Sequence, residues 1–115
     1  MKDAARYLGV LGEQLALSWY MVRGYQLLEH NWRCREGELD LVLGEEGLYV
    51  FCEVKTRSSD NYGLAVEAVT PSKVIRWRRA AGRWLSMRTD IHPRRARFDI
   101  ASVMPGGVEI IEDVF

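Results

Sequence analysis

The feature that most constrains this chain is a pair of apolar, strand-like runs joined by four turn-forming residues: ELDLVL at 38–43, GEEG at 44–47 and LYVFCEVKT at 48–56. A connection this short implies an antiparallel hairpin. Strand side chains alternate between faces, so Leu39, Leu41 and Leu43 are expected on one side and Glu38, Asp40 and Val42 on the other. In the returning run Phe51, Glu53, Lys55 and Arg57 share a face, with Cys52, Val54 and Thr56 opposite. An acid and a base two residues apart inside an apolar strand need a physical reason.

Hairpin parity supplies one. If Leu43 and Leu48 flank the turn as partners, Asp40 lies opposite Phe51 and diagonal to Glu53; a register that sets Asp40 directly against Glu53 has the same consequence. Opposite Cβ atoms stand roughly 4.5 to 5.5 Å apart and diagonal ones roughly 7 to 8 Å, so the two carboxylates converge either way. Two unpaired acids this close repel, and one must protonate or tolerate a destabilised charge. A hard divalent cation such as Mg²⁺ removes the conflict, because it combines one or two carboxylates with water and substrate phosphate oxygens. Lys55 then fits as a point charge that orients an attacking water or stabilises charge developing at phosphorus. The competing account is an exposed strand on which Glu53 and Lys55 merely pair. Weighing against it are Asp40 on the matching face, the hydrophobic hairpin, a further acid in a mostly apolar helix, and a basic helix downstream.

The remaining chain reads as helix, three strands, helix, two strands. A first helix is predicted from about Asp3 to Arg23, where Leu8, Leu11, Leu15, Ala16, Trp19 and Val22 recur at helical spacing before Gly24. Val10, Leu17 and Met21 make it apolar on more than one side, so substantial burial is expected. Glu13 lies inside it, either as a buried acid that needs a partner or as a solvated helix-edge residue. Residues 25–34 are expected to form the first strand, with REGE turning into the hairpin. RSSDNYG and TDIHPRR read as loops; Thr70 as N-cap and Pro71 at the first helical position open a second helix lasting to about Arg88. ARFDIASV and VEIIEDVF, separated by PGG, complete the strands. Helices and strands mixed in this way make an α/β or α+β architecture.

At 115 residues the chain is expected to form one domain, 1–115. It has no apolar run of membrane-spanning length and its start lacks the features of a signal peptide, so a cytoplasmic protein that does not bind membranes is expected. Cys34 and Cys52 show no zinc-site spacing and read as reduced structural residues; His30 and His92 form no local metal motif. The formal net charge of zero conceals segregation: Lys73 to Arg97 carries nine basic residues against the single acid Asp90, and the first half is acidic. Such an arrangement suits a protein that holds a cation in one place and polyanion phosphates in another. Arg76, Arg79 and Arg83 recur at helical spacing along the second helix, and Lys73 and Arg57 extend the positive border. Contacts of this kind give affinity without reading sequence.

GELDLVL followed by VFCEVKTR, with GEQLA before them and EAVTPSK and RFDIASV after, resembles the YraN family, bacterial proteins assigned as endonucleases on their motif. The resemblance covers nearly the whole chain. Its centre, an Asp, twelve residues and then E-V-K, is similar to the PD-(D/E)xK core of type II restriction enzymes and archaeal Holliday junction resolvases. The resemblance implies an α/β, restriction-endonuclease-like fold with a mixed central sheet flanked by helices, in the order α-β-β-β-α-β-β. It also implies Mg²⁺- or Mn²⁺-dependent hydrolysis of DNA phosphodiesters, with branched or repair-intermediate DNA among the candidate substrates. By the same analogy Asp40 and Glu53 are metal-binding acids, Lys55 the motif lysine, Glu13 a supplementary acid and the Val54 carbonyl a further ligand. Asn31, Arg33 and Gly37 match family positions without an assigned role. Leu39 replaces the proline that often precedes the metal-binding Asp, and Cys52 stands where valine is more typical; neither change removes a required charge. The competing function is a nuclease-fold module that binds or recruits without turnover, and homodimerisation would suit an enzyme that cuts two strands.

Overall fold

The computed structural model describes residues 2–57, 69–88 and 95–115, with side chains from residue 8 onward. Its elements follow the expected order: α1 (Lys2–Val22), β1 (Gln26–Cys34), β2 (Gly37–Glu45), β3 (Leu48–Thr56), α2 (Pro71–Ser86), β4 (Arg95–Met104) and β5 (Gly107–Ile111). The predicted loops RSSDNYG from residue 58, and TDIHPRR up to residue 94, lie outside the described residues. The five strands form one α/β mixed sheet in the order β1-β2-β3-β4-β5, parallel between β3 and β4 and antiparallel elsewhere. This is the architecture the resemblance implied. Among the described residues no helix is long and apolar enough to cross a membrane.

The hairpin turn is tighter than GEEG suggested. Glu45 pairs with Leu48, and Glu46 and Gly47 alone form the turn, at φ of 46° and 83°. Two successive positive φ angles match the twist of the flanking strands, and glycine at the second makes the conformation inexpensive. The register therefore differs from the Leu43 with Leu48 pairing by one step on each strand. Continued past the last pair, Leu41 with Cys52, it sets Asp40 directly against Glu53.

A core lies on each face of the sheet. Leu39, Val42, Phe51 and Ile100 pack against Trp77, Ala80, Ala81 and Trp84 of α2. Leu41, Leu43, Val50, Cys52 and Ala101 pack against Ala16 and Tyr20 of α1. Leu39 thus faces α2, contrary to the simple alternation that grouped it with Leu41 and Leu43. β2 changes face at the intervening Asp40, beside the point where Asn31 of β1 takes φ 49° between the pairs His30 with Leu41 and Trp32 with Leu39.

α1 is less buried than its apolar content implied. Gly12, Ala16 and Tyr20 form the stripe against the sheet, while Leu8, Val10, Leu11, Leu15, Met21 and Val22 stay exposed. Gly12 is required by close approach: a Cβ there would clash with Thr56 Oγ1. This contact sets α1 onto the end of β3. α2 begins as expected, with Thr70 Oγ1 accepting a hydrogen bond from the Lys73 N–H and Pro71 opening the first turn.

One buried acid lies in the α1-side core. Asp99 is 0% exposed. Its carboxylate accepts from Arg97 Nε and Nη2, both at 2.8 Å, from the Tyr20 hydroxyl at 2.7 Å and from the Asp113 N–H at 3.1 Å. The paired contact with a planar guanidinium is strong and directional. Burial pushes the Tyr20 hydroxyl well above its usual pKa, and the hydrogen bonds to Asp99 push Arg97 further up. The network ties α1, β4 and the segment after β5 together. Cys52, buried beside it, has its thiol pKa raised by desolvation, and both Cys34 and Cys52 are free thiols.

Candidate active site

Paired residues of β2 and β3 end at Leu41 with Cys52, although β2 extends back to Gly37 and β3 runs on to Thr56. At this fork the Val54 N–H donates to Asp40 Oδ2 at 2.9 Å. A side-chain oxygen has taken the place of a backbone acceptor. Strand N–H groups point along the sheet, so the Asp40 carboxylate lies near the sheet plane rather than squarely on either face. It accordingly lines two openings. One, of about 300 Å³, lies on the α2 side between Gly37, Glu38, Asp40, Glu53, Lys73, Arg76 and Trp77. The other, of about 780 Å³, is a more apolar groove in which Leu8, Leu11, Glu13 and Leu15 face Asp40, Val54, Lys55, Arg57 and Met104.

Burial pushes the Asp40 pKa up to about 6 from an ordinary 3.8; the Val54 N–H opposes the rise, and the negative charges of Glu53, Glu13 and Glu38 add to it. The carboxylate has one donor against three acids. Glu53 is differently placed. Lys73 of α2 contacts its Oε1, and Lys55 Nζ stands 3.6 Å from the same oxygen. Glu13 Oε2 accepts from Asn31 Nδ2 at 3.2 Å and lies 3.3 Å from His30 Nε2. The α1-side acid is thus a partnered residue, held by β1 beside the Gly12 contact.

The fold therefore brings Asp40, Glu53, Lys55, Val54, Glu13 and Lys73 to the mouth of the fork, with Arg76 lining the α2-side cleft. The other basic residues divide. Arg57 lies at the end of β3 in the second groove, and its buried Nη1 has no hydrogen-bond partner among the described residues. Arg79 is exposed on α2, whereas Arg83 turns to Glu36 at 3.5 Å and is partly occupied there. Glu36 is held below its usual pKa first by a hydrogen bond from Cys34, with the charge of Arg83 contributing. Arg33 pairs with Glu38 at 3.3 Å. A Cβ on Gly37 would lie 3.9 Å from the Arg76 carbonyl, which marks where β2 passes under α2.

Sequence reasoning put Lys73 on a positive border and missed its contact with Glu53. The available signal was its place three residues after the Thr70 cap, which fixes it in the first turn of α2; that this turn would end above β3 is a tertiary fact. It also gave His30 no part in holding Glu13. Among the described residues no three His, Cys, Asp or Glu side chains are already gathered as a ligand group. The reason is visible: each carboxylate is held by its own donor, Asp40 by Val54, Glu53 by the two lysines and Glu13 by Asn31. The donors at the fork are nevertheless all oxygens, Asp40 carries a charge that one N–H does not offset, and such a set fits Mg²⁺ or Mn²⁺ rather than a soft metal.

Residues 12–103 match the model of a family described as "Uncharacterised protein family UPF0102". Among curated relatives, a UPF0102 protein of Kineococcus radiotolerans is 44% identical over 102 residues, covering 89% of this chain and 81% of its own length. One of Mycolicibacterium gilvum is 46% identical over 106 residues, covering 90% and 85%. One of Frankia alni is 49% identical over 102 residues, covering 89% and 82%. The matched region takes in every element from mid-α1 to the end of the β4 core.

Proposed function

The chain belongs to UPF0102, the family of the YraN proteins, and from that premise we propose that it is a divalent-metal-dependent endonuclease that hydrolyses DNA phosphodiesters at the β2–β3 fork. The observation that carries the reading is Asp40: a half-buried carboxylate, pushed up to about 6, with a single N–H donor and three acids around it. A structural acid would be answered by the fold, as Asp99 is. An acid left this way favours an incoming cation.

Asp40 and Glu53 would hold Mg²⁺ or Mn²⁺, with the Val54 carbonyl and Glu13 as supplementary oxygens. When bound, the ion supplies a Lewis acid for a phosphate oxygen and favours ionisation of water. The chain's own residues do the rest. Lys55 projects from the same strand as Glu53 and presents an ammonium to an attacking water or to charge growing on phosphorus. Arg76 lines the cleft and Arg79 stands exposed a turn further along α2, so a phosphate backbone has positive charge to follow; Arg57 offers a guanidinium on the opposite side of the fork. Charges spaced along a helix in this way follow a phosphate backbone, so recognition by backbone and shape is expected.

A second reading, a nuclease-fold binding module without turnover, draws on Glu53, whose charge two lysines already satisfy. It leaves Asp40 unexplained. Supercoiled plasmid and four-way-junction DNA, incubated with Mg²⁺, Mn²⁺ or EDTA, separate the two. Metal-dependent nicking is expected, falling by about 10³-fold or more in Asp40→Ala while DNA binding persists. Binding without cleavage under either metal, from nuclease-free preparations, would establish the binding module instead.

A further inference from the structure

We propose that Lys73 is a tethered stand-in for the divalent cation at Glu53 and, once displaced, a phosphate ligand of the same site. The proposal rests on the metal site of the nuclease reading for its first half, and on the phosphate chemistry as well for its second. Lys73 stands in the first turn of α2, where its N–H is fixed on Thr70 Oγ1 and only the side chain is free to move. Its ammonium contacts Glu53 Oε1, the oxygen that Lys55 also approaches at 3.6 Å. Two ammonium groups on one carboxylate oxygen exceed what that carboxylate can neutralise. The excess is directed into the cleft, which Arg76, one turn along α2, lines as well.

The position of Lys73 is also electrostatically unusual. The N-terminal end of a helix is its positive end and favours acids, yet the first turn of α2 holds none and carries this lysine. A cation there requires an anion close by. In the metal-free protein Glu53 is that anion. A divalent cation on Glu53 and Asp40 removes it, and the freed ammonium, together with the helix end, then faces the incoming phosphate. One side chain thus neutralises Glu53 before the metal arrives and the substrate afterwards. Its side chain is partly exposed, at 28%, on the cleft side where the movement would take it.

The test uses Mn²⁺ as the probe, followed by the change in tryptophan fluorescence to which Trp77 in the cleft wall contributes, with Asp40→Asn as the control that isolates this site. Lys73→Met and Lys73→Gln are expected to bind Mn²⁺ about tenfold more tightly than wild type, because a cation competing for Glu53 has been removed. In plasmid nicking the same variants are expected to lose about 10²- to 10³-fold in kcat, with Lys73→Arg recovering part of it. Tighter metal with slower turnover is a pair that a purely structural lysine would not give. Unchanged or weaker Mn²⁺ binding in both neutral variants overturns the proposal. The titration needs no cleavage: if no wild-type nicking occurs while the variants still tighten Mn²⁺, the nuclease reading and the phosphate role fall and the displacement stands.

Discussion

Asp40 and Asp99 are both carboxylates drawn into the same sheet, and the fold treats them in opposite ways. Asp99 meets a guanidinium, a phenol and a backbone N–H, and its pocket is closed. Asp40 meets one N–H, stands among three other acids and opens on two sides. The first charge is balanced by the protein; the second awaits something from outside. Asp99 is fully buried and Asp40 only partly so, and the donor count separates a structural acid from a working one in the same sense.

Substitution should therefore split the pair. Asp99→Ala leaves the buried Tyr20 hydroxyl without its acceptor and the partly buried Arg97 with only Glu112 and the Tyr25 hydroxyl, and a loss of about 3 to 5 kcal/mol of stability is expected, read by urea unfolding. Asp40→Asn should do the reverse. In the metal-free protein the folded-state pKa of Asp40 lies above its unfolded value of 3.8, so the folded state binds the proton more tightly. The stabilisation this gives is full below 3.8 and is lost as pH rises through about 6. Asn has no such dependence and still accepts from the Val54 N–H. At pH 7.5 Asp40→Asn should be more stable than wild type by on the order of 1 to 3 kcal/mol, with the two converging near pH 4. A variant that is instead destabilised throughout would put Asp40 in the same class as Asp99. An effect of similar size and opposite sign is expected from Tyr20→Phe, which removes one of the donors to Asp99 and should lower stability by about 1.5 to 3 kcal/mol without altering the pH response of Asp40.

Much of this contrast was legible in the sequence, and its limits have physical causes. The period-two pattern around FCEVKTR tied Glu53 to Asp40 under either register considered, because both keep parity. The choice between registers depended on Glu46 adopting positive φ, which its side chain does not announce. Leu39 was assigned to the wrong face because β2 changes face at Asp40, opposite the positive φ of Asn31, and no pattern within β2 records a neighbour's backbone. Arg97 and Asp99 are two apart on one strand and readable as a same-face pair. The closure of the pocket around Asp99 depends on Tyr20, seventy-nine residues away. The Lys73 contact with Glu53 likewise depends on how α2 crosses the sheet. The apolar positions of α1 suggested a buried helix, yet Gly12, Ala16 and Tyr20 bring it so close on one stripe that the others are left outside.

The Val54 amide offers a different view of the fork. Its proton, in the middle of the sheet, is shielded from solvent by a side chain rather than by a neighbouring strand. Its exchange with water is therefore governed by the protonation and occupancy of Asp40, while its neighbours on β3 follow the opening of the sheet. A backbone position inside the scaffold thus reports directly on the chemistry at its edge.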